Sequence, residues 1–299
     1  MSVSLPGGAE LVVLPDPAAV ANEAAARIAR VLQEAIAARG VAHWATTGGS
    51  TPGPIYQRLA LPPWRDAVDW RRVHLWWGDD RCVPRDHPLS NVKLADDVLL
   101  RAAAYSGQSG TGGSGVEIRD GEGAGVPIAA ANVHPWPCAE GLGAGLGPAW
   151  AAARYLVEVR RHLPIRDGWP VFDLLLLGVG PDGHILSIFP GQLPPDGMVT
   201  LAVPPPDHVA PRVARVTFGP GVVTAARAVL VVCLGASKAP VITRLRTGEG
   251  IEGLPARWAL RPGAVWLVDR AAAGEAPTPV LAAPAPPGEE IPTAAGRER

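Results

Sequence analysis

Four consecutive leucines, residues 174–177, run without a break into Gly178-Val179-Gly180-Pro181-Asp182-Gly183-His184. A strand with no polar position has no face to turn toward water, so it belongs inside a sheet covered on both sides, the setting of parallel α/β folds. Its glycine-rich exit ends in one imidazole, and in such folds the loops at the carboxyl edge of the sheet gather the functional groups. The chain is therefore expected to carry its chemistry at the end of this strand.

The rest of the sequence agrees with that architecture. Strand patterns at 11–14, 41–45, 72–77, 171–177, 212–218, 228–234 and 264–268 alternate with helix patterns, among them 17–39, 149–162, 221–227 and 237–246. Pro17 suits the first turn of a helix and Gly40 a left-handed cap at its end, while Ser90 is an N-cap for a helix through Val92, Leu94, Val98 and Leu99. Such alternation predicts a mostly parallel sheet with helices on both faces, Rossmann-like in outline. Residues 1–275 are expected to form a single catalytic domain, with a Gly/Ala-rich surface insertion near 102–147. Residues 276–299 are rich in Pro, Ala and Glu and show no periodic apolar face, so disorder is expected there.

Composition narrows the class. The formal net charge is −1 and the hydrophobic content 47%, which gives no electrostatic bias toward nucleic acid or membrane surfaces. No apolar run approaches the roughly 20 residues needed to span a bilayer, and residues 1–10 lack the pattern of a secretory leader. Cys82, Cys138 and Cys233 are odd in number, widely spaced and without a Cys/His ligand pattern, so neither a disulfide framework nor a metal site is expected. A cytoplasmic enzyme, monomeric or a small homo-oligomer, fits these features.

Four segments place polar groups where strands end. Gly48, Gly49, Ser50 and Thr51, after Thr47, can aim backbone N–H groups and hydroxyls at an anion, although Ser/Thr/Gly clusters also serve as plain helix caps. Asp79-Asp80-Arg81 follows Leu75-Trp76-Trp77 directly and reads as either a solvated turn or a site turn. His184 follows three glycines in its loop and precedes Ser187, which favours a ring facing a cleft over a structural one. Lys238 lies where a strand passes into a helix, a suitable counter-charge for phosphate, though an isolated lysine is more often plain surface. Gly178 to Gly183 also satisfies G-x-G-x-x-G, but Pro190 and Gly191 interrupt the following helix and 194–206 is proline-rich rather than strand-like, which argues against a dinucleotide fold. G-x-S-x-G, H-E-x-x-H and Walker patterns are absent from the sequence.

Taken in order, Thr47-Gly48-Gly49-Ser50-Thr51-Pro52, Gly78-Asp79-Asp80-Arg81 with Ser90-Asn91, Asn132-Val133-His134-Pro135, residues 172–191, Arg215-Val216-Thr217 and Gly235-Ala236-Ser237-Lys238 resemble the glucosamine-6-phosphate isomerase/6-phosphogluconolactonase family over residues 11–272. The resemblance implies the fold of the isomerases, a small sugar-phosphate substrate, no cofactor, and hydrolysis of 6-phosphogluconolactone. Gly183-His184-Ile185-Leu186-Ser187-Ile188-Phe189-Pro190-Gly191 matches the lactonase pattern at Ser187 and Phe189 and the isomerase pattern at Ile185. Phe189 stands where the isomerase carries a glutamate that works with its histidine, and Arg81 stands where it carries a tyrosine. By the same resemblance His184 is the general base, Asp79 orients it or the water, Arg81 meets the carbonyl oxygen or the phosphate, and Gly48 to Thr51 with Arg215 and Lys238 hold the phosphate. Asp80 replaces the usual glutamate. An isomerase or deaminase of the same fold and a non-catalytic sugar-phosphate sensor are the competing expectations.

Overall fold

The computed structural model describes residues 2–100 and 125–275. Its strands are β1 (Ser2–Ser4), β2 (Glu10–Leu14), β3 (Ala42–Thr46), β4 (Val73–Trp77), β5 (Asp79–Arg81), β6 (Val133–His134), β7 (Ile165–Arg166), β8 (Trp169–Pro170), β9 (Leu174–Gly178), β10 (Thr200–Val203), β11 (Arg215–Phe218), β12 (Ala228–Cys233) and β13 (Ala264–Asp269). The helices are α1 (Pro17–Arg39), α2 (Pro52–Leu59), α3 (Trp64–Ala67), α4 (Asn91–Val98), α5 (Cys138–Gly143), α6 (Pro148–His162), α7 (Pro220–Ala225) and α8 (Ala239–Thr247).

Eight strands form one sheet in the order β1-β2-β13-β12-β9-β3-β4-β6, parallel throughout except for the β1–β2 pair at one edge. From β3 the chain builds outward through β4 to β6, then returns to lay β9 against the other side of β3 and builds the opposite way through β12 and β13. The β3–β9 seam is thus the point where the direction of winding reverses. Loops leaving two such strands diverge to opposite faces and open a crevice at their carboxyl ends, where open α/β sheets bind ligands.

Pleating decides what covers each face. Ala45 pairs with Trp76 and Trp44 with Leu75, so Trp44 and Trp76 point to opposite sides of the sheet. Trp44 meets Tyr56 of α2 edge-on at 6.2 Å, and Trp76 meets Tyr155 of α6 at 5.8 Å. Helix α1 starts where Asp16 accepts the Ala19 N–H at 2.8 Å and stops at Gly40, whose φ of 81° ends the helical path. Its Val20, Ala24, Ile28, Leu32 and Ala35 recur at helical spacing and are buried against the sheet.

Three expectations are corrected. Asp79-Asp80-Arg81 is a strand and not a turn, and the strand expected at 212–218 joins it, Arg215 opposite Arg81 and Thr217 opposite Asp79, in a separate antiparallel sheet. The third member of that sheet, β10, lies in the proline-rich 194–206 stretch, because Thr200–Val203 escapes the prolines for four residues and finds β11 as a partner. The supposed surface insertion is also narrower than 102–147. Val126, Ile128, Trp136 and Cys138 are buried and β6 extends the main sheet, so a few apolar anchors outweigh a Gly/Ala-rich average. Residues 101–124 of that segment, and the 276–299 tail, lie outside the described residues.

Candidate active site

The crevice at the β3–β9 seam holds a cavity of about 220 Å³, small enough to suit a compact polar ligand rather than a dinucleotide. The loop after β3 supplies Gly48, Gly49, Ser50 and Thr51, and the loop after β9 supplies His184. Strands β5 and β11 contribute Asp79, Arg81 and Arg215, and the turn after β12 contributes Lys238. All the site residues expected from the sequence therefore line one cavity.

The 48–51 loop is open toward this cavity and not consumed as a cap. Thr51 stands at the N-cap of α2 but its side chain makes no capping hydrogen bond. Gly48 is there because a Cβ at that position would overlap the Asn91 amide, so the loop can approach α4 only without a side chain. Asn91, unremarked as a site residue in the sequence, lines the cavity, donates from Nδ2 to the Asp79 carbonyl at 2.9 Å and leaves its buried Oδ1 without a hydrogen-bond partner.

Asp182, and not Asp79, is the carboxylate on the His184 ring, which leaves Asp79 the other half of its expectation, the water. Asp182 Oδ1 lies 2.6 Å from His184 Nδ1, and His208 Nε2 stands 3.5 Å from its other oxygen. Burial pushes the Asp182 carboxyl up, but the hydrogen bonds and charge of His184 more than offset that and hold it at about 2. An ionised carboxylate can only accept, so Nδ1 carries the proton and Nε2 is left basic. Gly180 leaves room for this pair, since a Cβ there would overlap both His184 and Asp182. The remaining wall behind the ring is Phe189, 4.9 Å away centroid to centroid.

Asp79 instead accepts the Ser187 hydroxyl at 2.6 Å while keeping its place on the cavity wall. Asp80 points the other way: its Oδ1 takes the backbone N–H groups of Asn91 at 2.7 Å and Arg81 at 2.8 Å, which fixes the start of α4. Burial raises its carboxyl to about 7 against the pull of those two hydrogen bonds.

Positive charge comes from three side chains. Arg81 anchors one nitrogen on the Leu89 carbonyl at 2.8 Å, and Arg215, only 2% exposed, reaches the Pro211 carbonyl at 3.2 Å and stacks over Phe189 at 5.3 Å. The Nε atoms of both guanidiniums are buried without a hydrogen-bond partner. Lys238 forms no ion pair among the described residues, and its turn is held by Asp269, which accepts the Gly235 N–H at 3.0 Å. Leu186 also lines the cavity, with a φ of 56° that costs a leucine about 1 kcal/mol or more. Two or more cations, unpaired donors and a single oriented imidazole suit an anionic substrate and a proton transfer to or from water.

Comparison with known proteins supplies the family. Residues 15–268 match the family model described as glucosamine-6-phosphate isomerases/6-phosphogluconolactonase. A 6-phosphogluconolactonase of Streptomyces coelicolor is 33% identical over 277 residues, 90% of this chain and 95% of that protein. One from Synechocystis is 32% identical over 247 residues, 81% of this chain and 87% of that protein. The solved 6-phosphogluconolactonase from Trypanosoma cruzi superposes with a TM-score of 0.73 over 91% of this chain and 98% of its own, at 24% identity, a likeness of fold.

Proposed function

Since the chain belongs to the glucosamine-6-phosphate isomerase/6-phosphogluconolactonase family, we propose that it hydrolyses 6-phospho-D-glucono-1,5-lactone to 6-phospho-D-gluconate, a step of the oxidative pentose phosphate pathway. The observation that carries this reading is the His184–Asp182 pair standing in the same cavity as Arg81, Arg215, Lys238 and the 48–51 loop. Relatives that are about a third identical over most of their length bear the lactonase name.

The phosphate sits on the backbone N–H groups and hydroxyls of Gly48, Gly49, Ser50 and Thr51, with Lys238 as its counter-charge. That anchoring fixes the lactone carbonyl beside His184 and converts attack by water into a positioned event. Nε2 of His184 takes a proton as the water oxygen bonds to the carbonyl carbon, and Asp182 stabilises the imidazolium that forms. The two guanidiniums of Arg81 and Arg215 serve the phosphate and the developing oxyanion between them. Collapse of the tetrahedral intermediate breaks the bond to the ring oxygen, which receives the proton back from Nε2. The product is the open-chain hydroxy acid, ionised at neutral pH.

Phe189 argues for hydrolysis over isomerisation. It packs on His184 where, by resemblance, an isomerase carries the glutamate that shares its proton transfer, and a phenyl ring moves no proton. The test is disappearance of the lactone above its spontaneous rate with purified protein, with glucosamine 6-phosphate as a parallel substrate. Turnover of the amino sugar instead of the lactone, or binding of 6-phosphogluconate without any acceleration, would overturn the assignment.

A further inference from the structure

Of the seven histidines, His43, His74, His134 and His162 come together away from the active site, brought there by sheet pairing and not by sequence spacing. His43 and His74 are register partners on β3 and β4, His134 ends β6 next to Trp76, and His162 is the last residue of α6. All three strand histidines lie in or next to the parallel sheet, and none lines the cavity at the β3–β9 seam.

We propose that His74, His134 and His162 bind one divalent transition-metal ion of the zinc class, with Glu158 completing or orienting the ligand set. One ring nitrogen from each of the three lies within 4.8 Å of the others. His74 Nδ1 and His134 Nε2 are 3.0 Å apart, close to the roughly 3.3 Å that separates two nitrogens held at 2.0–2.1 Å around a tetrahedral ion. A metal therefore replaces the proton those rings share, and a small rotation brings in His162. Glu158, one helical turn before His162, places Oε1 2.9 Å from His162 Nε2 and 3.7 Å from His134 Nδ1, the carboxylate partner that ligand imidazoles use. The rings are already ordered: His134 lies on Trp76 at 3.8 Å with 9° between the planes. A separate cavity of about 200 Å³, lined by His134 and Glu158 among others, gives an ion a way in.

The electrostatics suit a cation that needs lone pairs. Burial, and then the neighbouring imidazoles, lower His134 to about 3, and the same causes lower His74, so both present neutral rings at physiological pH. Three imidazoles favour zinc, cobalt or nickel over magnesium or calcium, which take oxygen ligands. Bound there, the ion ties the two-residue edge strand β6 to α6 and β4.

The experiment titrates the chelator-stripped full-length chain with Co²⁺, read by its visible absorption, and with Zn²⁺ by calorimetry. Expected are tetrahedral-type Co²⁺ bands, one ion per chain, and a Zn²⁺-dependent rise in Tm. His162→Ala should abolish the bands while keeping the circular dichroism and lactone turnover of the parent, and Glu158→Gln should weaken affinity by about 10–100-fold. His184→Ala should bind the ion like the parent. The proposal is overturned if the parent shows no saturable binding, if binding survives both His162→Ala and His74→Ala, or if it is lost in His184→Ala.

Discussion

Five of the seven histidines stand in two contrasting surroundings. At the carboxyl end of the β3–β9 seam, His184 lines a cavity wall, tied to the Asp182 carboxylate and faced by cations. Around β4, β6 and the end of α6, the imidazoles have mainly one another and Trp76 for company, with Glu158 at the rim. A carboxylate on Nδ1 fixes the tautomer and leaves Nε2 as the accepting nitrogen, which is what a ring that must take a proton requires. Burial among other imidazoles does the reverse: both His43 and His134 are lowered to about 3, by burial first. The same residue type is thus set beside a carboxylate at one place and packed among its own kind at the other.

The strongest way to break this contrast is to remove one member from each side. His184→Ala should lower kcat by about 10²–10⁴-fold while the affinity for 6-phosphogluconate stays near that of the parent. His162→Ala should leave steady-state kinetics alone. Equal loss of turnover and product affinity in His184→Ala would make that ring structural. Asp182→Asn comes next. An amide can offer Nδ1 either an N–H or a carbonyl, so the tautomer is no longer imposed, and kcat should fall with little change in KM, less severely than when the ring itself is lost. Lys238→Ala sharpens the phosphate end: KM should rise by roughly 10–100-fold, the value of one charge-assisted hydrogen bond, at nearly constant kcat. Unaltered kinetics would remove Lys238 from the site.

The smallest effects are in stability, and two buried groups should act with opposite sign. His43, whose pKa falls from an unfolded value of about 6.5 to about 3 in the fold, binds its proton more readily when unfolded. It should therefore cost stability as pH falls from about 6.5 toward 3, and His43→Gln should flatten that loss. Asp80 is raised by burial to about 7, so between about 4 and 7 the folded state is the one that holds the proton and stability falls as pH rises. Asp80→Asn keeps an acceptor for the Asn91 and Arg81 N–H groups and should remove that slope. Denaturant midpoints across this pH range for the parent and both variants give the comparison; parallel curves would contradict the burial argument.

Much of the fold, and the set of residues that line the candidate site, could be read in the sequence because their signals are local. The leucine run, Pro17 and Gly40 around a helical stripe, and Ser90 before α4 each act within a few residues, and they mark β9, α1 and α4 nearly to their ends. What escaped was set by pairing across long distances. Asp79–Arg81 is a strand only because Arg215–Thr217 arrives beside it, and Thr200–Val203 is a strand only because β11 offers an open edge. Asp182 sat in plain view two residues before His184, but a Gly-Pro-Asp-Gly sequence signals a turn so strongly that the carboxylate's second use was hidden. The imidazole cluster had no linear signature at all, since its members are separated by 31, 60 and 28 positions along the chain.

The ladder between β5 and β11 has one more consequence. By setting Arg215 directly across from Arg81 it roots two guanidiniums on neighbouring strands, with Asp79 and Asp182 as the counter-charges that Arg215 feels. If the proposed function holds, an anionic group entering the cavity meets both guanidiniums at once and completes a charge balance that the two carboxylates only begin. The spacing of those two cations is thus set by strand register, decided by the backbone before any ligand is touched.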